Sequence, residues 1–184
     1  MKITDREHDI ERVLYSREQI EARVEEIGTF LSEKYAGQRP VMVCVLKGAS
    51  FFYIDLCRSM KCHLDMDFIA VSSYGAGTKT SGNVRMIKDL GVDIKDRPVV
   101  LVEDIIDTGL TLKYLNELFA SRSPKSLMTV TFLKKEGITN QAFTEDLCGF
   151  TIPNEFVVGY GLDYAGYYRN LPFIGVLKPE CYKD

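Results

Sequence analysis

Apolar residues fall along this chain in two rhythms, one at helical spacing and one in continuous runs of strand length. In "YSREQIEARVEEIGTFLSEKYAG", residues 15–37, Ile20, Val24, Ile27 and Leu31 recur at three- and four-residue intervals, so one helical face is apolar. Ser16 and Gln19 have the spacing of a capping box at its start, and Gly37 is placed as its stop. The stripe predicts a helix packed on the core. "PVMVCVL" (Pro40–Leu46) is an unbroken apolar run, and with "SFFYIDLCRSM" and "LDMDFIAVSSY" it predicts strand, helix, strand. The polar stretch "GAGTKTSGNV", residues 75–84, has no period, and "VRMIKDL" predicts the returning arm of a hairpin around it. A second strand–helix–strand unit follows in "PVVLVE", "LTLKYLNELFASR" and "SLMTVTFLKKEG", with short late strands in "FVVGYG" and "FIGVLK". Two such units predict an α/β fold: a mostly parallel sheet with helices on both faces.

Composition narrows the class without naming it. At 184 residues the chain is expected to form one domain, 1–184, with a continuous core. A net charge of −3 gives no global basic field, which argues against nucleic acid as a partner. No apolar run nears the roughly 20 residues that cross a bilayer, and the charged N-terminal stretch lacks a signal-peptide core. No membrane role is expected. Five cysteines without a C-x-x-C pair, and two histidines, make no zinc-type cluster, so a cytoplasmic protein with reduced cysteines is expected.

One stretch carries chemistry. "VVLVEDIIDTGLTL" begins with four apolar residues, Val99–Val102, and then places Glu103, Asp104 and Asp107 around an Ile-Ile pair. Buried carboxylates are costly unless a cation or a hydrogen-bond donor meets them. In open α/β sheets ligands sit beyond the carboxyl ends of strands, where Glu103 and Asp104 lie. Asp107, Thr108, Gly109, Leu110 and Thr111 then form the turn into a helix, whose first N–H groups have no partner of their own. With a glycine for close approach and two threonine hydroxyls, that turn suits a phosphate. The chain has no G-x-x-x-x-G-K-[ST] and no G-x-G-x-x-G at a strand–helix turn. Acids beside a phosphate cradle fit a phosphorylated sugar, the acids reaching vicinal hydroxyls or a divalent cation. A merely capped turn with solvated acids explains Asp107 alone but not the whole pattern.

Residues 99–111 resemble the phosphoribosyl-diphosphate signature of type I phosphoribosyltransferases. "VLKGAS" resembles the pyrophosphate-loop motif of that family's purine branch, and "SSYGAGTKTSGNV" its mobile Ser-Tyr loop. "FLKKEG" resembles the segment bearing its base-binding lysine, and "FVVGYGLDYAGYYRNLPFIGVL" its C-terminal base and metal segment. Over nearly its whole length the chain resembles the hypoxanthine-guanine branch. The resemblance implies the type I fold, with a hood built from about 150–184 plus the N-terminal segment and a mobile loop over 73–84. It implies a purine-salvage transferase joining hypoxanthine or guanine to 5-phosphoribosyl diphosphate, giving IMP or GMP and pyrophosphate. The implied cofactor is Mg²⁺, and the implied assembly a homodimer or homotetramer.

The resemblance also distributes roles. Asp107, Thr108, Gly109, Leu110 and Thr111 hold the 5′-phosphate. Glu103 and Asp104 meet the ribose hydroxyls, directly or through Mg²⁺. Asp107 is the general base toward purine N7, with Ile106 packing against the base. Lys47 and Gly48 face the diphosphate after a Leu46–Lys47 bond that in this family is often cis. Lys135, favoured over adjacent Lys134, donates to the purine 6-oxo group. Phe156 stacks on the base, Val157 offers its backbone to the purine edge, and Asp163 lies by the purine and ligates Mg²⁺. Arg169 pairs with pyrophosphate oxygens, and Ser73 and Tyr74 enter on loop closure. Two other readings stay open: a transferase restricted to xanthine or hypoxanthine, and a regulatory nucleic-acid-binding protein on the same fold.

Overall fold

The computed structural model describes residues 5–73, 84–137 and 142–182. A short helix α1 (Asp5–His8) and strand β1 (Ile10–Tyr15) lead into α2 (Arg17–Lys34). The first strand–helix–strand unit is β2 (Val41–Leu46), α3 (Ser50–Ser59) and β3 (Asp65–Ser73), and β4 (Val84–Lys88) returns antiparallel on β3. The second unit is β5 (Pro98–Ile106), α4 (Leu110–Ala120) and β6 (Ser126–Lys135). After it come β7 (Leu147–Ile152), β8 (Val157–Val158), β9 (Ile174–Leu177) and a 3-10 turn at Pro179–Cys181.

Six strands form the main sheet in the order β4-β3-β2-β5-β6-β7, parallel throughout except for β4. The two strand–helix–strand units are the ones predicted, and β2 with β5 makes the centre. Val41–Val45 and Val99–Val102 are buried because both sheet faces are covered, which is why their sequences run apolar without alternation. One face packs against α2 and α3, with Ile20, Val24, Ile27, Leu31, Phe52 and Phe132 in that core. The other packs against α4, through Leu112, Leu115 and Phe119. Among the described residues no helix is long and apolar enough to cross a membrane.

The capping box forms as spaced: Ser16 N–H donates to Gln19 Oε1 at 2.8 Å and Gln19 N–H to Ser16 Oγ at 3.4 Å. Helix α2 ends at Lys34, short of Gly37, which takes φ +70 in the turn that follows. A second, three-stranded sheet of order β1-β9-β8 makes a hood over the carboxyl ends of the main strands. Two strands were not foreseen. β1 is mostly exposed and lacks a buried alternating face, and "LCGFTI" of β7 is broken by Gly149, whose missing side chain makes room for Phe132 C=O. β7 joins the main sheet, so the strands of the hood on this side begin beyond Ile152.

Candidate active site

The site is built on the end of β5. Val99–Val102 fix the strand, and Glu103 and Asp104 follow half-buried at its carboxyl end. Gly109, at φ +76, is the N-cap of α4 and offers no capping side chain. The helix's first N–H groups are therefore almost unsatisfied from within: Leu110 N–H reaches Thr108 Oγ1 only at 3.5 Å, and Lys113 N–H is the first to close, on Gly109 C=O at 2.9 Å. Donors and helix dipole both face outward there, as an anion site requires. Ala142 N–H donates to Thr108 C=O at 3.0 Å, so the 142–143 segment walls the turn from outside.

Glu103, Ile105, Ile106, Asp107, Thr108, Gly109 and Thr111 line one cavity of about 230 Å³ with Leu46 of β2. Larger hollows exist, but the largest lies at the opposite ends of the strands, by Arg39, Lys61 and His63. Glu103 and the anion turn border the smaller one.

Electrostatics set Glu103 and Asp104 apart from the chain's other acids. Burial pushes the Glu103 carboxyl well above the ordinary range, and the neighbouring Asp104 charge adds to it. Burial also raises Asp104, opposed by hydrogen bonding to Glu103 and Ile105 and by the charge of Arg169. Two adjacent acids held in this state are poised to accept hydroxyl protons or a cation.

The Lys47–Gly48 turn stands directly beside them. The Leu46–Lys47 peptide is cis, Lys47 is exposed, and Ser50 Oγ donates to Lys47 C=O at 2.7 Å. A β-carbon on Gly48 would lie 1.5 Å from Asp104 Oδ2, so the turn lies flush against that carboxylate. From the hood, a β-carbon on Gly161 would lie 2.0 Å from Gly48 C=O. Only glycine fits at either position. Arg169 and Asp163 pair with each other at 2.5 Å, Arg169 Nη1 donates to Gly161 C=O at 2.6 Å, and Gly166 N–H donates to Asp163 Oδ2 at 2.8 Å. The hood thus holds both expected side chains near Gly161, joined as an ion pair.

The purine-side residues divide. Lys134 is engaged by Glu145 at 3.0 Å, and Lys135 follows it at the carboxyl end of β6, opposite Ile152 of β7. That separation supports Lys135 over Lys134. Leu177 N–H donates to Phe156 C=O at 3.0 Å, so by antiparallel alternation Val157 turns its own backbone groups away from β9, to the open edge of the hood. Phe156 stacks on Tyr182, with ring centroids 4.8 Å apart.

Ile106, expected against the base, borders the cavity but is packed into the core beneath α4, 1% exposed. Its neighbour Ile105 lies on the other face, half-buried against the cluster that holds Val157, Tyr160 and Leu162. Alternation breaks at the strand end: Ile105 joins the face of Val100 and Val102, and Ile106 that of Val99 and Leu101. Asp107 stands exposed in the turn and is not enclosed by the Ile-Ile pair. Tyr74 and most of the 73–84 loop lie outside the described residues, and Ser73 is described only through its backbone pairing with Val84. Among the described residues no three His, Cys, Asp or Glu side chains gather to hold a metal unaided. Sequence reasoning also missed Asp55 and Tyr182, for which no local pattern stood out.

Three comparisons bear on this geometry. Residues 13–165 match the phosphoribosyl transferase domain family. The chain is 50% identical over 177 residues to the hypoxanthine-guanine phosphoribosyltransferase of Bacillus subtilis, covering 96% of this chain and 98% of that one. It is likewise 50% identical to the "Bifunctional protein TilS/HprT" of Listeria innocua, but it spans only 27% of that protein's length. A crystal structure of a hypoxanthine phosphoribosyltransferase from Staphylococcus aureus superposes with a TM-score of 0.94 at 44% identity, covering 100% of both chains.

Proposed function

The chain belongs to the phosphoribosyltransferase family, and from that premise we propose that it joins hypoxanthine or guanine to 5-phosphoribosyl diphosphate, releasing pyrophosphate. The observation that carries the reading is the meeting at the end of β5. There, Glu103 and an uncapped helix N-terminus line one small cavity, and Asp104, the second acid of raised pKa, packs against the Gly48 turn beside it.

The reaction breaks the anomeric carbon–oxygen bond as a purine nitrogen bonds to the same carbon. Positive charge develops on the ribose and negative charge on the departing diphosphate, so the site must fix the sugar and meet the leaving group with donors. The Asp107–Thr111 turn takes the 5′-phosphate on its outward N–H groups. Glu103 and Asp104 accept from the ribose hydroxyls, which anchors the ring at its other end. Lys47, the backbone at Gly48 and Arg169 face the diphosphate, with Arg169 offering a planar fork to its oxygens. Lys135 donates to the 6-oxo group, Phe156 and Ile105 bracket the ring, and Val157 meets its edge. The proton lost by the purine passes to Asp107, whose exposed place in the turn faces solvent for its release.

Glu103, Asp104 and Asp163 are hard oxygen donors of the kind Mg²⁺ accepts. Since three carboxylates do not converge, the ion would rest on one or two of them and complete its shell with water and diphosphate oxygens. When bound it would neutralise charge on the leaving group. Formation of IMP and pyrophosphate in equal amounts, from hypoxanthine, 5-phosphoribosyl diphosphate and Mg²⁺, tests the reading. Hypoxanthine left unconsumed under those conditions would sink it.

A further inference from the structure

Two separate segments supply the diphosphate-facing groups: the Lys47–Gly48 turn and the hood turn that carries Gly161 and Arg169. What registers one against the other is not in either segment. We propose that the hydrogen bond between Tyr160 of the hood and Asp55 of α3 is a latch that sets this register, making Tyr160 a positioning residue for diphosphate. This rests on the assignment of Lys47, Gly48 and Arg169 to the diphosphate.

The geometry forms a closed ring. Tyr160 Oη donates to Asp55 Oδ2 at 2.8 Å. Asp55 belongs to α3, whose first turn is tied to the diphosphate turn by Ser50 N–H on Lys47 C=O at 3.2 Å. On the hood side, Tyr160 N–H donates to Leu171 C=O and Gly161 N–H to Arg169 C=O, both at 2.9 Å. Arg169 Nη1 returns to Gly161 C=O at 2.6 Å. The ring closes where Gly161 meets Gly48 C=O. A contact between two glycine backbones carries no side chain to resist sliding, so it cannot by itself hold a register. A charge-assisted hydrogen bond can.

Tyr160 is also an unusual residue for its place. It sits at φ +46 between Gly159 at +101 and Gly161 at +105, where glycine would adopt the same backbone without penalty. The side chain has a use that offsets this: the ring is 7% exposed, packed at 5.1 Å from Phe132 and 6.2 Å from Phe51. Burial, followed by the hydrogen bond to Asp55 and its charge, pushes the Tyr160 hydroxyl far up, so it remains a donor across the neutral range.

Tyr160→Phe removes the hydroxyl and keeps the ring. It is expected to raise KM for 5-phosphoribosyl diphosphate, and Ki for pyrophosphate as product inhibitor, by about three- to tenfold, the scale of one net hydrogen bond. KM for hypoxanthine should stay within about twofold, since the Phe ring keeps the packing that Tyr160 shares with Ile105 and Val157. Asp55→Leu breaks the same bond from the helix side and must give the same selective rise. Asp55→Asn keeps an acceptor and must recover most of it. A fall in Tm with both KM values unchanged, or an equal rise in both, would overturn the latch. Arg169→Ala separates the two levels of inference. If it raises KM for 5-phosphoribosyl diphosphate while Tyr160→Phe and Asp55→Leu do not, only the latch fails. If Arg169→Ala has no effect, the diphosphate assignment fails with it.

Discussion

Replacing Gly48 with alanine places a methyl group where a carboxylate already stands. The added carbon would lie 1.5 Å from Asp104 Oδ2 and 2.6 Å from its Cγ, close to 2 Å short of ordinary contact. Asp104 cannot simply turn away, because Ile105 N–H holds its other oxygen at 2.7 Å. Either that bond breaks and the carboxylate is displaced, or the turn lifts off Asp104. Overpacking of this kind costs about 1–3 kcal/mol. For a chain of this length that is a Tm lower by roughly 2–12 °C. Catalysis should suffer far more, since a displacement of about 1 Å at reacting groups can cost about 100-fold. We expect kcat/KM for 5-phosphoribosyl diphosphate to fall by at least that factor, read from the ultraviolet change on IMP formation, with circular dichroism confirming the fold. Gly37→Ala is the control: at φ +70 with nothing within 4 Å, it should cost about 1 kcal/mol of stability and no turnover. A folded Gly48→Ala enzyme with near-normal kcat/KM would refute the packing of the diphosphate turn on Asp104.

Other substitutions probe the remaining assignments. Asp107→Ala should lower kcat by about 100-fold or more in steady-state assays, the scale of a lost general base; near-normal turnover would remove Asp107 from the mechanism. Lys135→Ala should weaken use of hypoxanthine and relax discrimination against adenine. Lys134→Ala should instead cost about 3 kcal/mol in urea unfolding, because it leaves the buried Glu145 carboxylate unpaired. Tyr182→Ala frees the Phe156 ring from its stacking partner and should raise KM for hypoxanthine by about two- to tenfold, with KM for 5-phosphoribosyl diphosphate unchanged. The pH dependence has a definite sign. The folded chain holds the Glu103 proton to higher pH than the unfolded chain does, so its contribution is stabilising at low pH and is lost as pH rises through the folded value. The Tm difference between ligand-free Glu103→Gln and the unaltered enzyme should therefore grow in the variant's favour as pH rises above the ordinary glutamate range. Calorimetry showing a pH-independent difference would contradict it.

The parts of the site readable from sequence are those written in contiguous residues. Val99–Thr111 holds a buried strand, three acids and a helix start in thirteen positions, so its local physics can be read from one stretch. The stripe of α2 was readable for the same reason, each apolar position being set by one face of one helix. What escaped depends on other parts of the chain. That Ile105 and Ile106 face opposite cores follows from where the two cores end, not from the order of residues on β5. β1 reads as a charged segment because its partner β9 lies at the far end of the chain. The raised pKa values of Glu103 and Asp104 come from burial, which no motif records. Asp55 and Tyr160 meet across 105 positions, and neither stands in a pattern that requires the other.

The central claim is a 6-oxopurine transfer from 5-phosphoribosyl diphosphate, and steady-state kcat/KM for hypoxanthine, guanine, xanthine and adenine, with Mg²⁺ and a fixed diphosphate donor, tests it most directly. Donation by Lys135 to a 6-oxo group predicts that hypoxanthine and guanine are used well and adenine worse by orders of magnitude, because its 6-amino group leaves that donor unpaired. Adenine as the best substrate, or no transfer to any of the four, would contradict the account.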